Sequence, residues 1–233
     1  MLTLSKLFIC FILFSFIGWT LEVLYGNYIT KKFVNRGFLV GPLCPIYGLG
    51  CILIYLLLNR YHDDPIVLFI AAMAICSLLE YTASYLLEKI FKVRWWDYHT
   101  MKYNINGRIC LEMIIPFGLL GLLVNYFAFP LALFMLDKIP ELAIYIIAGI
   151  LLIIFIVDLS FSLNIIMKFK KTALVGIAKD RTEDITKYVR NTLYKQSRRA
   201  KRMIDSFPDF TFVFDFKKLK SKLPKIKQTR KKD

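Results

Sequence analysis

The sequence predicts an all-α, polytopic integral membrane protein with about five transmembrane helices and a basic C-terminal tail. Hydrophobic residues make up 57% of the chain and mean hydropathy is +0.53, whereas an ordinary soluble domain holds about 45–50% apolar residues. Charge is segregated: of 32 Lys and Arg and 17 Asp and Glu, residues 168–233 hold 21 and 7, leaving 11 and 10 to residues 1–167. The net charge of +15 therefore belongs to the tail. These boundaries define a transmembrane domain, 1–167, and a basic cytoplasmic tail, 168–233.

Crossing a hydrocarbon core takes about 20 predominantly apolar residues in a helix. Five stretches qualify: 2–25, 43–59, 65–90, 109–136 and 139–168. Lys6 ahead of the run 7–16 gives the first some features of a signal peptide. No small-x-small cleavage site follows and the run continues past Trp19, so it reads as a span. The second begins in an irregular stretch, 33–48, where Asn35-Arg36-Gly37, Gly41-Pro42 and Pro45-Ile46-Tyr47-Gly48 gather helix breakers and a cation beside the bilayer. Lipid cannot satisfy open N–H and C=O groups, so this backbone is expected to line a polar cavity within the protein. The fourth reads as one span, with a re-entrant piece plus a helix as the alternative that Pro116, Gly118, Gly121 and Pro130 leave open.

Orientation follows from the short connections. Lys31, Lys32 and Arg36 lie between the first and second spans, and Lys89, Lys92, Arg94, Lys102 and Arg108 between the third and fourth; Arg60 and Lys138 stand alone in the other two. The positive-inside rule puts both rich connections and the tail in the cytoplasm, with the N-terminus outside. The localisation expected is a cell membrane, crossed several times. The tail opens with an amphipathic helix over about 180–204: Asp180 and Glu183 have N-cap and N3 spacing, followed by Ile185, Val189 and Leu193. Arg198, Arg199, Lys201 and Arg202 would face anionic lipid headgroups, each gaining about 1 kcal/mol. Phe210, Phe212, Phe214 and Phe216 alternate before a Lys-rich end, a pattern that reads as an interfacial anchor rather than a nucleic-acid arm.

A charge at the centre of a bilayer costs about 2.5–3.5 kcal/mol on insertion scales and needs a partner. At about 1.5 Å per residue, Glu80 and Asp158 lie near mid-membrane, while Glu22, Glu88 and Glu112 sit toward the cytoplasmic ends of their helices. Glu80, Ser84 and Glu88 share one face, and Arg108 and Glu112 have i, i+4 spacing. The expected site is a cytoplasm-facing polar cavity in which Arg36 and Arg108 bind an anion or headgroup and Glu22, Glu80 and Glu88 are their counter-charges. Asn35 and Asn106 flank the two arginines. Between the halves, Arg94-Trp95-Trp96-Asp97-Tyr98 reads as an interfacial belt or, more sharply, as a lid with Asp97 its acceptor.

A short internal repeat accords with this geometry. Leu21-Glu22, Asn35-Arg36-Gly37 and Pro45 to Gly48 are echoed by Leu87-Glu88, Asn106-Gly107-Arg108 and Pro116-Phe117-Gly118. Two parallel repeats about an axis along the membrane normal are one architecture in which a site forms at the repeat interface. No phosphate-binding loop, His-Glu-x-x-His, Gly-x-Ser-x-Gly or Gly-x-Gly-x-x-Gly motif occurs. The five cysteines lie in or beside apolar runs without Cys-x-x-Cys spacing, indicating neither a disulfide framework nor a zinc site. No cofactor is expected, and no metal.

Gly18-Trp19 with Glu22, Phe33-Val34-Asn35-Arg36-Gly37-Phe38-Leu39, Gly41-Pro42, Pro45-Ile46-Tyr47-Gly48, Glu80, Glu88, Trp95-Trp96-Asp97-Tyr98 and Asn106-Gly107-Arg108-Ile109 together resemble the bacterial family labelled putative ABC-transporter type IV permease, over about residues 7–165. The resemblance implies a multi-pass permease subunit in the inner membrane of a bacterial cell, working with a separate ATP-binding cassette subunit, so that ATP would enter only through that partner. Two further readings stay open: an intramembrane enzyme acting on a lipid or prenyl-phosphate, and a non-catalytic scaffold whose tail recruits partners. A homo-oligomer is open as well.

Overall fold

The computed structural model describes residues 1–31, 34–175, 182–196, 198–207 and 210–213. Asp180, with Lys32, Phe33, Phe214 and Phe216, lies outside the described residues, as do the side chains of Glu183, Ile185, Leu193, Arg198 and Arg199. The fold is helical: α1 (Leu2–Thr30), α2 (Pro45–Leu58), α3 (Pro65–Phe91), α4 (Leu111–Leu123), α5 (Phe129–Asp137), α6 (Glu141–Val175), α7 (Thr182–Gln196) and α8 (Arg198–Ser206). Short strands β1 (Val93–Arg94), β2 (Asn104–Ile105), β3 (Ile109–Cys110) and β4 (Thr211–Phe212) form two antiparallel pairs, β1 with β4 and β2 with β3. Among the described residues, four helical stretches are long and apolar enough to cross a membrane: Leu2–Tyr28, Pro65–Phe91, Leu111–Asp137 and Glu141–Ala173.

The second of the five expected spans differs from the other four. α2 has 14 residues, about 21 Å of helix against an apolar core of about 30 Å. It starts deep in the bundle, because the Cys44 amide donates to the Ser15 carbonyl halfway along α1 (2.9 Å). The irregular chain ahead of it is thus sunk between helices. Gly48 is needed there: a Cβ at that position would strike the Phe11 carbonyl and the Ser15 hydroxyl, so only a bare backbone lets α2 pack against α1.

The fourth span does not break, although its prolines left that open. Pro116 lies inside α4, and α4 runs into α5 through a π-helical turn, Val124–Ala128. Pro130 sits in the first turn of α5, where a missing amide is tolerated. The helix therefore bends its hydrogen-bond pattern and continues.

Two apolar cores lie at opposite ends of the bundle. One joins Cys10 and Phe14 of α1 to Ile54 and Leu58, Leu68 and Ala72, Phe129 and Ile144; at that end Lys6 pairs with Asp137 at 2.6 Å. The other, at the tail end, joins Phe91, Val93 and Trp95 to Ile166 and Phe169 of α6 and to Val189, Met203, Ile204, Phe210 and Phe212 of the tail. Phe210 and Phe212 are thus core residues, not an interfacial anchor. Their alternation is the period of a strand, and β4 pairs Phe212 with Val93 and Thr211 with Arg94. The expected tail helix is described as α7 and α8, to either side of residue 197, and α8 turns Ala200, Met203 and Ile204 inward while Lys201 stays exposed.

Candidate polar site between the two cores

Beyond the residues that each gives to the first core, α1 carries Trp19 and Glu22 and α3 carries Glu80, Ser84 and Glu88, polar groups set among apolar ones. The frame of this polar layer is the stretch 34–44. Its backbone is bonded mainly to side chains and to a helix carbonyl, as irregular backbone between helices requires. The Val40 amide donates to Asp158 Oδ1 (3.0 Å) and to Ser162 Oγ (2.9 Å), and the Gly41 amide donates to both Asp158 oxygens (3.1 and 3.0 Å). The Asn35 carbonyl accepts from Ser206 Oγ (2.5 Å), the Gly37 carbonyl from Arg202 Nη2 (2.7 Å), and the Arg36 carbonyl from Cys44 Sγ (3.8 Å). Asn35 Oδ1 accepts from Trp19 Nε1 at 2.6 Å.

The stretch delivers Arg36 to α1. Its guanidinium stands 4.0 Å from Glu22, whose other oxygen accepts from Tyr47 at 2.6 Å. The connection 92–110 delivers Arg108 to α3 in the same way. Asn106 (φ 54) and Gly107 (φ 66) turn left-handed between β2 and β3, and Gly107 lies so close to Asp97 and His99 that no Cβ fits. Arg108, 7% exposed, then reaches Glu88 at 3.1 Å and Ser84 at 3.2 Å and lies over the rings of Tyr81 and Tyr85 at 5.7 and 5.5 Å. Each hairpin thus pairs an acid near the tail end of its first helix with an arginine from the following connection, Glu22 with Arg36 and Glu88 with Arg108.

The second pair is the more heavily built. Arg94 also binds Glu88 (2.9 Å) and reaches Asp97 (3.4 Å), which His99 caps through its backbone amide (3.1 Å) and its ring (2.5 Å). Burial opposes the charge of Arg94, yet its bonds to Glu88 and Asp97 push its pKa up. Burial also works against Asp97, but His99 and Arg94 hold its carboxyl below the usual range. Glu80 has no ion pair among those described. Its Oε1 accepts from Tyr98 (3.3 Å), while Oε2 is buried with no partner, and Glu22 lies within electrostatic reach. Burial and the neighbouring Glu80 push the Tyr98 phenol up, so it serves as a donor.

Similarity to known proteins bears directly on this layer. Residues 9–163 match the family described as putative ABC-transporter type IV, which covers more than half of the chain and every acid and arginine of the two hairpin pairs. The chain belongs to this family. No curated protein and no solved structure is significantly similar to it.

Within the putative ABC-transporter type IV fold, the residues singled out from sequence fall into two groups. Glu22, Arg36 and Asn35 gather at α1, and Glu88, Arg108, Asn106 and Asp97 at the connection 92–110, with Glu80 between them. Asn106 donates to Tyr81 at 2.9 Å. Arg108 precedes α4 rather than lying on it, so the helical spacing to Glu112 does not apply. Sequence reasoning noted the depth of Asp158 but missed its task, and it missed Tyr47, Ser162, Arg202 and Ser206. Asp158 could have been found as an acid at mid-span with no cation nearby on its helix; Arg202, expected to face lipid headgroups, instead turns inward to the Gly37 carbonyl, and Ser206 carried no signal, both lying in a basic tail outside the family match. Among the described residues no group of three or more His, Cys, Asp or Glu is placed to hold a metal ion, and the five cysteines are free.

Proposed function

We propose that this chain is a permease-like membrane component whose polar layer faces the cytoplasm and takes an anionic ligand or headgroup at Arg36. What supports the reading is the contrast between the two hairpin pairs. Arg108 is surrounded by Glu88, Ser84, Tyr81 and Tyr85, whereas Arg36 meets Glu22 only at 4.0 Å. A charge-assisted hydrogen bond is about 2.7–2.9 Å long. Among the described residues Arg36 therefore has bonding capacity to offer, and Arg108 serves as framework. Glu22, Glu80 and Glu88 act as counter-charges, with Asn35 and Asn106 fixing the two connections and Asp97 anchoring the lid formed by residues 94–98. An ATP-binding cassette subunit would supply the energy, and the bilayer and its anionic headgroups at the basic tail are the other partners.

The test is copurification. Cross-linking the native membrane and isolating the full-length protein should recover an ATP-binding cassette subunit, and native mass spectrometry should show an anionic ligand retained by the R60A variant but lost from R36A. Recovery of the protein without any ATPase, together with catalytic turnover of a prenyl-phosphate by the purified chain, would favour the intramembrane enzyme instead.

A further inference from the structure

The tail end of the site is closed by residues outside the family match. α8 sits on the tail-end core through Ala200, Met203 and Ile204, and the chain beyond it is fastened twice more. Phe207 packs edge-on against Trp95 with ring centroids 4.8 Å apart, and Val213 donates to the Lys92 carbonyl at 2.9 Å, next to the β1–β4 pair. From this mount Ser206 and Arg202 reach the carbonyls of Asn35 and Gly37, the residues on either side of Arg36. The opposite flank of the same stretch is held by Asp158 and Ser162. Arg202 also feels the charge of Asp158. The stretch that carries Arg36 is therefore gripped from two sides, once by α6 and once by the tail.

We propose that α8 is a strap: Arg202 and Ser206 are positioning residues that hold Arg36 against Glu22, and release of α8 opens the polar layer from the tail end. This rests on the reading of Arg36 as the ligand-facing cation. The physical reason is the cost of an unmade bond. Asn35 and Gly37 carbonyls without their donors are buried acceptors with no partner, and the cheapest relief is for the stretch to swing toward water. Cys44 reports the movement, because its thiol is bonded to the Arg36 carbonyl and 8% exposed in the strapped state.

The experiment is peptide-resolved maleimide labelling of the purified full-length protein in nanodiscs. Wild-type Cys44 should label slowly. R202A/S206A should label Cys44 at least about tenfold faster, each lost hydrogen bond contributing a several-fold change, with Cys10 of the distant core unchanged as internal reference. R202K, which keeps a donor for the Gly37 carbonyl, should recover most of the protection. An unchanged Cys44 rate in R202A/S206A, or a parallel rise at Cys10, would overturn the strap. If the double variant does not accumulate as folded protein, S206A alone, which deletes one hydroxyl, carries the same test with a smaller acceleration expected. None of these outcomes depends on recovery of an ATPase or a ligand, so failure of the strap and failure of the permease reading are separate results.

Discussion

Asp158 offers the sharpest quantitative test of how this fold keeps irregular backbone at depth. The two amides it serves are not equivalent. Val40 N–H also has Ser162 Oγ at 2.9 Å, whereas Gly41 N–H has Asp158 alone, through both oxygens. D158A should therefore orphan one amide, not two. Hydrogen bonds to a charged group contribute about 1.5–3 kcal/mol and an unsatisfied buried amide costs about 1–3 kcal/mol, two descriptions of largely the same loss, so about 2–3 kcal/mol is expected. For a chain of this size that is about 4–12 °C in Tm. S162A removes only the second partner of Val40 and should cost about 0.5–1.5 kcal/mol. The double variant orphans both amides and should exceed the sum of the singles by about 1 kcal/mol or more, a coupling of the kind found between residues that share a partner. D158N keeps an acceptor and should fall between wild type and D158A. The assay is thermal unfolding in one detergent with tryptophan emission as signal. Strict additivity, or a cost for D158A no larger than for S162A, would refute the account.

Three other perturbations follow from the same geometry. G48A should destabilise by about 1–3 kcal/mol in thermal unfolding, because its Cβ meets the Phe11 carbonyl, which cannot yield without moving α1. G149A is the control: nothing lies within 4 Å of its Cβ, so the protein should gain about 0.5–1 kcal/mol from helix propensity. E88Q should cost more than R94A or R108A, about 3–5 kcal/mol, since it removes the carboxylate paired with Arg108 and the nearer of the two paired with Arg94, which keeps Asp97, while either arginine variant leaves the other in place; a double-mutant cycle in the same assay measures it. Asp97 makes the connection 92–110 acid-sensitive. Its carboxyl is held below the ordinary 3.8, so its contribution is complete above that value and is lost as pH falls through the lowered folded value. Hydrogen exchange of the 92–110 amides should accelerate in that acid window, and D97N should remove the step.

The parts of this molecule that were legible from sequence are those in which local pattern and tertiary role coincide. Five apolar runs gave five helical stretches, and the two acid–arginine pairs followed from charges whose burial demands a partner. Asn106-Gly107 has the chemistry of a left-handed turn and makes one. The failures are cases where one pattern serves two physical ends. Alternating phenylalanines suit an interface and a strand equally, and Phe210 and Phe212 form a strand because Val93 offers an edge. Pro130 breaks a helix unless a π turn precedes it. That residues 34–44 lie within the protein was expected from their helix breakers, but the partners that hold them were not legible, because they lie more than 100 residues away, at Asp158, Ser162, Arg202 and Ser206. Hydropathy reports only that the stretch is partly apolar.

The two hairpins repeat an ion pair but not its setting, and the difference bears on where motion resides. The second connection meets the tail at its start, where β1 pairs with β4, but from Trp96 on it is bonded within itself: Tyr98 N–H donates to the Gly107 carbonyl (2.8 Å), Trp96 to the Arg108 carbonyl (3.1 Å), and Arg108 rests in a cradle made by α3. Displacing it would break short-range contacts with nothing else to replace them. The first connection is satisfied from outside, by α6 on one flank and the tail on the other, and its ion pair is loose at 4.0 Å. On the strap proposal the first segment loses part of its hold when the tail lets go, whereas the α3 cradle of Arg108 does not. The same contrast divides the family-matched region from the tail, because Arg108 owes its position to residues within 9–163 and Arg36 owes part of its position to residues beyond. Substitution of Arg202 or Ser206 should therefore change the setting of Arg36 and leave the α3 cradle of Arg108 in place.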